Sequence, residues 1–264
     1  MLVFRGRMGR NIAVVELFGT IGGGVKSHVY DKVFSSIEKD DRARALVLDI
    51  DSPGGGVSAS DYLYRSVLKV AARKPVIASV RGLGASGSYY IACAAHKIIA
   101  TPGAIIGSIG VISVRPVLQE FLKRHGIGVN VNKSGAYKDM GAFWRDATPD
   151  EQNKMQGLID ESYDSFVSIV AKARKMDEGR VREIATGEVY WATKAKELGL
   201  VDELGDLDTA IDMAADMAHA PRKPVYVRPR RTLRQLLLNP AAESFAETLA
   251  EEVDRRLWTG SLRF

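Results

Sequence analysis

The sequence predicts an α/β protein with a largely parallel sheet, and three observations support this fold class. Apolar runs of strand length alternate along the chain with segments whose apolar residues recur at helical spacing. The strand-like runs are apolar along almost their whole length, which is typical of strands covered on both faces. Glycine-rich turns follow the second and third runs, at the sheet edge where parallel sheets commonly bind ligands.

The predicted elements fill most of the first 220 residues. Strands are predicted at 12–18, 45–50, 75–80, 97–100 and 129–132. Helices are predicted at 25–39, after Gly56, after Ser86, at 116–125, from Pro149 onward, and at 177–185, 192–198 and 206–218. Thr148 has the side chain expected of an N-cap for the long helix that begins at Pro149.

The chain is expected to divide into a basic tail (1–10), a main α/β domain (11–220) and an extension (221–264). The boundary is placed near residue 221 because prolines interrupt the helical pattern there. Within the extension, apolar residues at every fourth position predict an amphipathic helix that needs a covering surface. These residues are Phe245, Leu249, Val253 and Leu257.

The net charge of +5 belongs to the two ends of the chain, because Arg5, Arg7 and Arg10 and the segment 221–234 are basic and contain no acid. Such ends suit a membrane surface or an acidic partner, or merely aid solubility, and no nucleic-acid-binding motif is present. No apolar run reaches the roughly 18–20 residues that span a bilayer. The chain as given is therefore expected to behave as soluble.

Ser86 is the candidate nucleophile, because it opens a helix directly after a strand in the turn 82–87. Acyl transfer needs a nucleophilic hydroxyl and N–H donors that face the developing oxyanion. The N–H of Gly87 and one N–H from the Gly54–Gly55 turn would supply those donors. A purely structural glycine turn is the alternative interpretation.

The general base is harder to predict from the residues alone. The four histidines (His28, His96, His125 and His219) lie on predicted helices and are expected to be structural. A lysine acts as a base when burial lowers its pKa, so a lysine is the remaining candidate. Taken by itself, Lys138 is expected to be a solvated charge on a loop that follows the predicted strand at 129–132. The single cysteine, Cys93, lies in an apolar run and is expected to be a buried hydrophobic residue rather than a nucleophile.

Four segments in the same order resemble the signal peptide peptidase A family in its short, single-repeat form: 51–56, 84–92, 106–111 and 133–139. The resemblance covers about residues 11–215. It implies a superhelix of ββα units of the Clp-protease/crotonase kind, with Ser86 as nucleophile and Lys138 as general base. It further implies that Ser108 orients the lysine and that Gly54 and Gly87 form the oxyanion hole, with Gly55 as the alternative to Gly54.

The resemblance also implies apolar peptide substrates such as cleaved signal peptides, a ring of identical subunits, membrane association, and neither metal nor cofactor. Ser88 stands where many relatives have a second glycine, and the N-terminal membrane segment of the family is missing. Three other functions compete with this one. They are acyl-CoA chemistry of the crotonase type, an inactive assembly module, and a Ser/His/Asp protease, although position 111, where the last needs histidine, is valine.

Overall fold

The computed structural model describes residues 11–229, which form a mixed sheet with helices on both faces. The strands are Asn11–Phe18 (β1), Ala43–Ser52 (β2), Val76–Ala85 (β3), Lys97–Ala100 (β4), Ile105–Gly107 (β5), Val189–Trp191 (β6), Glu203–Leu204 (β7) and Pro224–Tyr226 (β8). The helices are Ser27–Lys39 (α1), Val57–Ala71 (α2), Gly87–Ala92 (α3), Gln119–Arg124 (α4), Pro149–Arg174 (α5), Glu178–Ile184 (α6), Ala192–Glu197 (α7) and Leu207–Met217 (α8).

The sheet has the order β6-β5-β3-β2-β1-β8, with β4 beside β3 and β7 beside β4. Every pair is parallel except β5 with β6, so the prediction of a largely parallel sheet is confirmed. The long strand β3 pairs with β4 along its first half and with β5 along its last three residues. The sheet therefore forks along β3, and the second branch carries β5 to the end where Ser86 lies.

Both faces of the central strands are buried, which explains their almost continuous apolar sequence. Alternate residues such as Ile12 and Val14 pack against Ile211 and other residues of α8. The intervening residues, such as Val15 and Leu17, face a larger core to which α1, α2, α3 and α5 contribute.

The predicted N-cap of α5 is confirmed, and it is a complete capping box. Glu151 N–H donates to Thr148 Oγ1 at 3.2 Å, and Thr148 N–H donates to Glu151 Oε2 at 2.9 Å. These two bonds satisfy N–H groups that a helix start otherwise leaves unpaired. The start of α5 is therefore well defined.

The predicted strand at 129–132 is wrong, because these residues form no strand and lie in an irregular stretch. Val129 and Val131 instead line a small cavity of about 370 Å³. Among residues 11–229 no strand pairs with this stretch, so its backbone has no sheet hydrogen bonds to form. Beyond the predicted boundary near residue 221, β8 pairs with β1 and extends the sheet. The predicted basic tail and the amphipathic helix of the extension lie outside the described residues.

We name residues 111–147 the arm. Apart from α4 the arm is irregular, and it exposes large apolar side chains, with Ile112 80%, Val114 84% and Phe121 56% exposed. Apolar side chains that are this exposed along a continuous segment are typical of a surface that binds another protein. Across residues 11–229, no helix is both long and apolar enough to span a bilayer.

Candidate active site

Ser86 lies in the tight turn between β3 and α3, as the sequence predicts. Its backbone has φ 52° and ψ −124°, a conformation that side-chain-bearing residues rarely adopt. Such strain persists where the surrounding structure imposes it, and it is common at functional sites. The same strand-turn-helix geometry presents the nucleophilic serine in α/β-hydrolases.

Ser86 opens onto a cleft of about 610 Å³. The cleft is lined by Thr20, Pro53, Gly54, Gly55, Val57, Ser86, Ser108, Gly110, Val111, Ile112, Tyr163, Ala185, Thr186 and Gly187. Among these lining residues of the described range 11–229 there is no histidine, lysine, arginine, aspartate or glutamate. Its one titratable side chain is Tyr163, whose hydroxyl donates to the carbonyl of Ala185 at 3.0 Å. The cleft therefore holds a nucleophile without a base.

The two glycine turns meet beside Ser86. A side chain at Gly54 would place its Cβ 2.6 Å from Gly87 N and 2.8 Å from Ser86 Cβ, so only glycine fits at this contact. The N–H of Gly54 donates to Ser52 Oγ at 3.2 Å. The N–H groups of Gly55 and Gly87, by contrast, have no acceptor among residues 11–229.

These bonds affect the predicted oxyanion hole. Gly87 remains the predicted first donor, since its N–H at the start of α3 has no acceptor among residues 11–229. For the second donor the geometry favours Gly55, which is exposed, over Gly54, which is buried and already donates to Ser52. Gly54 then shapes the turn. The choice between the two remains a prediction.

Ser88 connects the two turns. Its side chain is fully buried, and its Oγ lies 2.8 Å from the carbonyl oxygens of both Ser52 and Ala85. A buried hydroxyl with such partners holds the backbone segments together. Ser88 therefore links the turn that carries Ser86 to the segment that leads into the Gly54–Gly55 turn.

Ser108 lies next to Ser86, because β5 is parallel to β3 with Ala85 opposite Gly107. Ser86 N–H donates to the carbonyl of Gly107 at 2.8 Å, and both serines line the cleft. Ser108 also has a positive φ, 50°. The structure thus brings Ser86 and Ser108 together beside the Gly54–Gly55 turn and the N–H of Gly87.

Lys138 is not brought to this cleft. It lies in an exposed turn of the arm, where its backbone N–H donates to the carbonyl of Gly135 at 3.1 Å. Its amine makes no ion pair or hydrogen bond with any residue between 11 and 229. The apolar surroundings expected for a lysine base are therefore absent within one copy of the chain. None of the four histidines lines the cleft either.

The model of peptidase family S49 matches residues 69–220, a range that includes Ser86, Ser108 and Lys138. The chain belongs to peptidase family S49. The predicted family resemblance is confirmed, and this S49 chain is a serine protease. Membership of a peptidase family argues against acyl-CoA chemistry as its reaction.

Similar proteins agree with this family. A Synechocystis protein with a provisional protease name is 40% identical over 79% of this chain and 75% of its own length. The chloroplastic serine protease SPPA of Arabidopsis thaliana is 32% identical over 81% of this chain and 32% of its own length. A ClpP1 mutant from Listeria monocytogenes superimposes with a TM-score of 0.51 at 16% identity, covering 73% of this chain and 91% of that one. The last similarity confirms a mixed α/β fold of ClpP type.

The other reactive side chains in residues 11–229, the potential metal ligands and Cys93, form no second candidate site. Among residues 11–229 there is no cluster of three His, Cys, Asp or Glu side chains suited to a metal ion. Cys93 is buried, as predicted, and burial raises the pKa of its thiol to about 12. A thiol that stays protonated at neutral pH is a poor nucleophile.

We expect the folded S49 chain to resist alkylation by iodoacetamide at pH 8, because Cys93 is both inaccessible and protonated. After unfolding in guanidinium chloride, the same thiol should react completely within minutes. Mass spectrometry of the intact protein before and after unfolding measures the difference. Rapid modification of the native protein would contradict the buried position.

Proposed function

We propose that this S49 protease is an endopeptidase with a Ser86/Lys138 dyad, and that Ser86 and Lys138 of each site come from different copies of the chain. The carrying observation is that the described residues that line the cleft around Ser86 include no base, whereas Lys138 lies exposed on the arm. A serine hydroxyl needs a base to become a nucleophile at neutral pH. A neighbouring copy that packs its arm over the cleft would supply the lysine.

The arm supports this arrangement through its exposed apolar side chains, which a second copy would cover. Tyr137, next to Lys138, is itself 51% exposed. Contact with a neighbour would remove water from the lysine and so favour its neutral form. Head-to-tail contacts form a ring when the rotation between neighbouring copies closes, and a homo-oligomeric ring is the state proposed here.

In the proposed reaction the neutral Lys138 amine accepts the Ser86 Oγ proton as Oγ attacks the peptide carbonyl carbon. The N–H groups of Gly87 and Gly55 bind the oxyanion, and Ser108 holds the lysine amine. When the C–N bond breaks, the Lys138 ammonium donates its proton to the leaving amine. A water molecule, deprotonated by Lys138, then hydrolyses the ester and releases Ser86.

The cleft also suggests which substrates it accepts. Its apolar lining, including Val57, Val111 and Ile112, suits small or aliphatic side chains of an extended peptide. Cleaved signal peptides have this character, and the family resemblance indicates the same class. Basic residues near the chain ends would favour contact with a membrane surface, where such peptides are found.

We expect the protein to cleave unfolded apolar chains and to spare native globular proteins, because a folded protein cannot present an extended segment to an enclosed cleft. Digestion of one stable protein in native and in reduced, unfolded form, analysed by mass spectrometry, measures the preference. Cleavage should follow small or aliphatic residues. Equal rates on both forms, or cleavage mainly after charged residues, would refute the proposed site.

Oligomeric state is tested independently by multi-angle light scattering. At micromolar concentration we expect a mass several times the 28.8 kDa of one chain. A monomer that is fully active at this concentration would exclude a dyad formed between copies.

A further inference from the structure

Arg145 forms the centre of an ion-pair network at the base of the arm. Its Nε and Nη2 donate to the two carboxylate oxygens of Asp139, each at 2.9 Å. On its other side, Nη1 donates to Glu151 Oε2 at 2.8 Å, and Nη2 reaches Glu151 Oε1. One guanidinium therefore binds two carboxylates, each through two bonds, a geometry that only arginine provides.

The network is attached to the capped start of α5. Glu151 is 3% exposed and belongs to the capping box of α5. Hydrogen bonds from Arg145 hold the pKa of Glu151 at about 2, and those from Arg145 and Lys133 hold the pKa of Asp139 well below its usual range. Both carboxylates therefore stay charged across the pH range in which a peptidase works.

Two further cations close the loop that carries Lys138. Lys133 Nζ donates to Asp139 Oδ1 at 2.6 Å and to the carbonyl of Ala136 at 3.0 Å. Arg115 Nη1 donates to the carbonyls of Arg145, at 3.2 Å, and Ala142. The backbone on both sides of Lys138 is thus held, while no bond of the network uses the Lys138 amine.

We propose that Arg145 is a positioning residue for Lys138, acting through Asp139 and anchored by Glu151; this rests on the proposed role of Lys138 as base. Asp139 directly follows Lys138, so fixing its carboxylate fixes the backbone from which the lysine extends. Lys133 and Arg145 balance the charges of Asp139 and Glu151, so the loop places no net negative charge beside the lysine. The Lys138 amine is then available to reach Ser86 of the adjacent copy in the proposed ring.

The test combines Arg145→Gln with Lys138→Ala in a double-mutant cycle. The rate of Ser86 labelling by a fluorophosphonate is the readout, together with kcat and KM on an apolar peptide. If Arg145 acts through Lys138, Arg145→Gln lowers kcat about tenfold or more with little change in KM, since small misplacements of a catalytic group are costly. In the Lys138→Ala background the same change should have no further effect. Arg145→Lys should rescue only part of the loss.

Arg42→Gln is the matched control, because Arg42 also binds one aspartate, Asp40, through Nε and Nη2, at the opposite end of the sheet. It should leave kcat unchanged. Light scattering and melting temperature verify assembly and folding of each variant. If Arg145→Gln does not fold or assemble, Asp139→Asn, which leaves the Arg145–Glu151 pair intact, takes its place in the cycle.

An equal fold-loss in the wild-type and Lys138→Ala backgrounds would overturn the positioning role, as would normal kcat in Arg145→Gln. Normal activity of Lys138→Ala alone would instead refute the proposed dyad, and the positioning role with it. The single variant and the cycle therefore separate the failure of the function from the failure of this inference.

Discussion

Replacement of Ser86 by alanine is expected to reduce peptide hydrolysis to background, a loss of about four orders of magnitude or more. The reason is that Ser86 supplies the attacking oxygen from the strained turn between β3 and α3. The other aliphatic hydroxyls that line the cleft, those of Thr20, Ser108 and Thr186, lie elsewhere and are not expected to take its place. Hydrolysis of a fluorogenic apolar peptide by the purified variant measures the effect. Labelling by a fluorophosphonate should be lost in parallel and should map to Ser86 in the wild-type protein.

Ser36→Ala is a suitable control, because Ser36 donates its hydroxyl proton to Val33 within α1, far from the cleft. It should retain wild-type activity. Ser86→Ala should melt near the wild-type temperature, since a smaller side chain at the start of a helix is easily accommodated. Ser36→Ala should do the same, because alanine is favoured inside a helix. Undiminished turnover by pure Ser86→Ala protein would remove Ser86 from the mechanism.

Lys138 variants are expected to be inactive alone and active when mixed with the Ser86 variant. Lys138→Ala removes the base, and Lys138→Arg replaces it by a guanidinium that stays protonated. If each site joins Ser86 of one copy to Lys138 of another, rings formed from equal amounts of Ser86→Ala and Lys138→Ala chains should contain about one quarter intact sites. The measurement is peptidase activity after dissociating, mixing and reassembling the two variants.

A mixture in which no activity returns, although light scattering shows mixed rings, would place both residues of the dyad in one copy. Lys69→Ala, on the exposed face of α2, is the control and should be fully active.

The wild-type rate should rise from neutral to alkaline pH, because only a neutral amine accepts the serine proton. Near-normal activity of Lys138→Arg would exclude lysine as the base.

Much of the fold was predictable because its signals are local. Strands such as β1 and β2 bury both faces, so their sequences are apolar at successive positions. Helix α5 carries its own start signal in Thr148, Pro149 and Glu151. Strands of two or three residues, such as β5 and β7, show no periodicity, and they form only because β3 and β4 offer backbone partners. The opposite error at 129–132 has the same physical cause, since a β-compatible sequence without a partner strand does not form a strand.

By itself the sequence determined the α/β class, the S49 motifs and the position of Ser86 after a strand, because strand patterning and glycine turns depend on neighbouring residues. Only the tertiary structure decided what surrounds that serine. Pairing of β3 with β5 places Ser108 beside it, and the bond from Gly54 to Ser52 leaves Gly55 as the better oxyanion donor. The tertiary structure also separates Lys138 from the cleft and ties its loop to Arg145. Hydrogen-bond partners in turns and irregular segments depend on the path of the backbone, which no sequence pattern specifies.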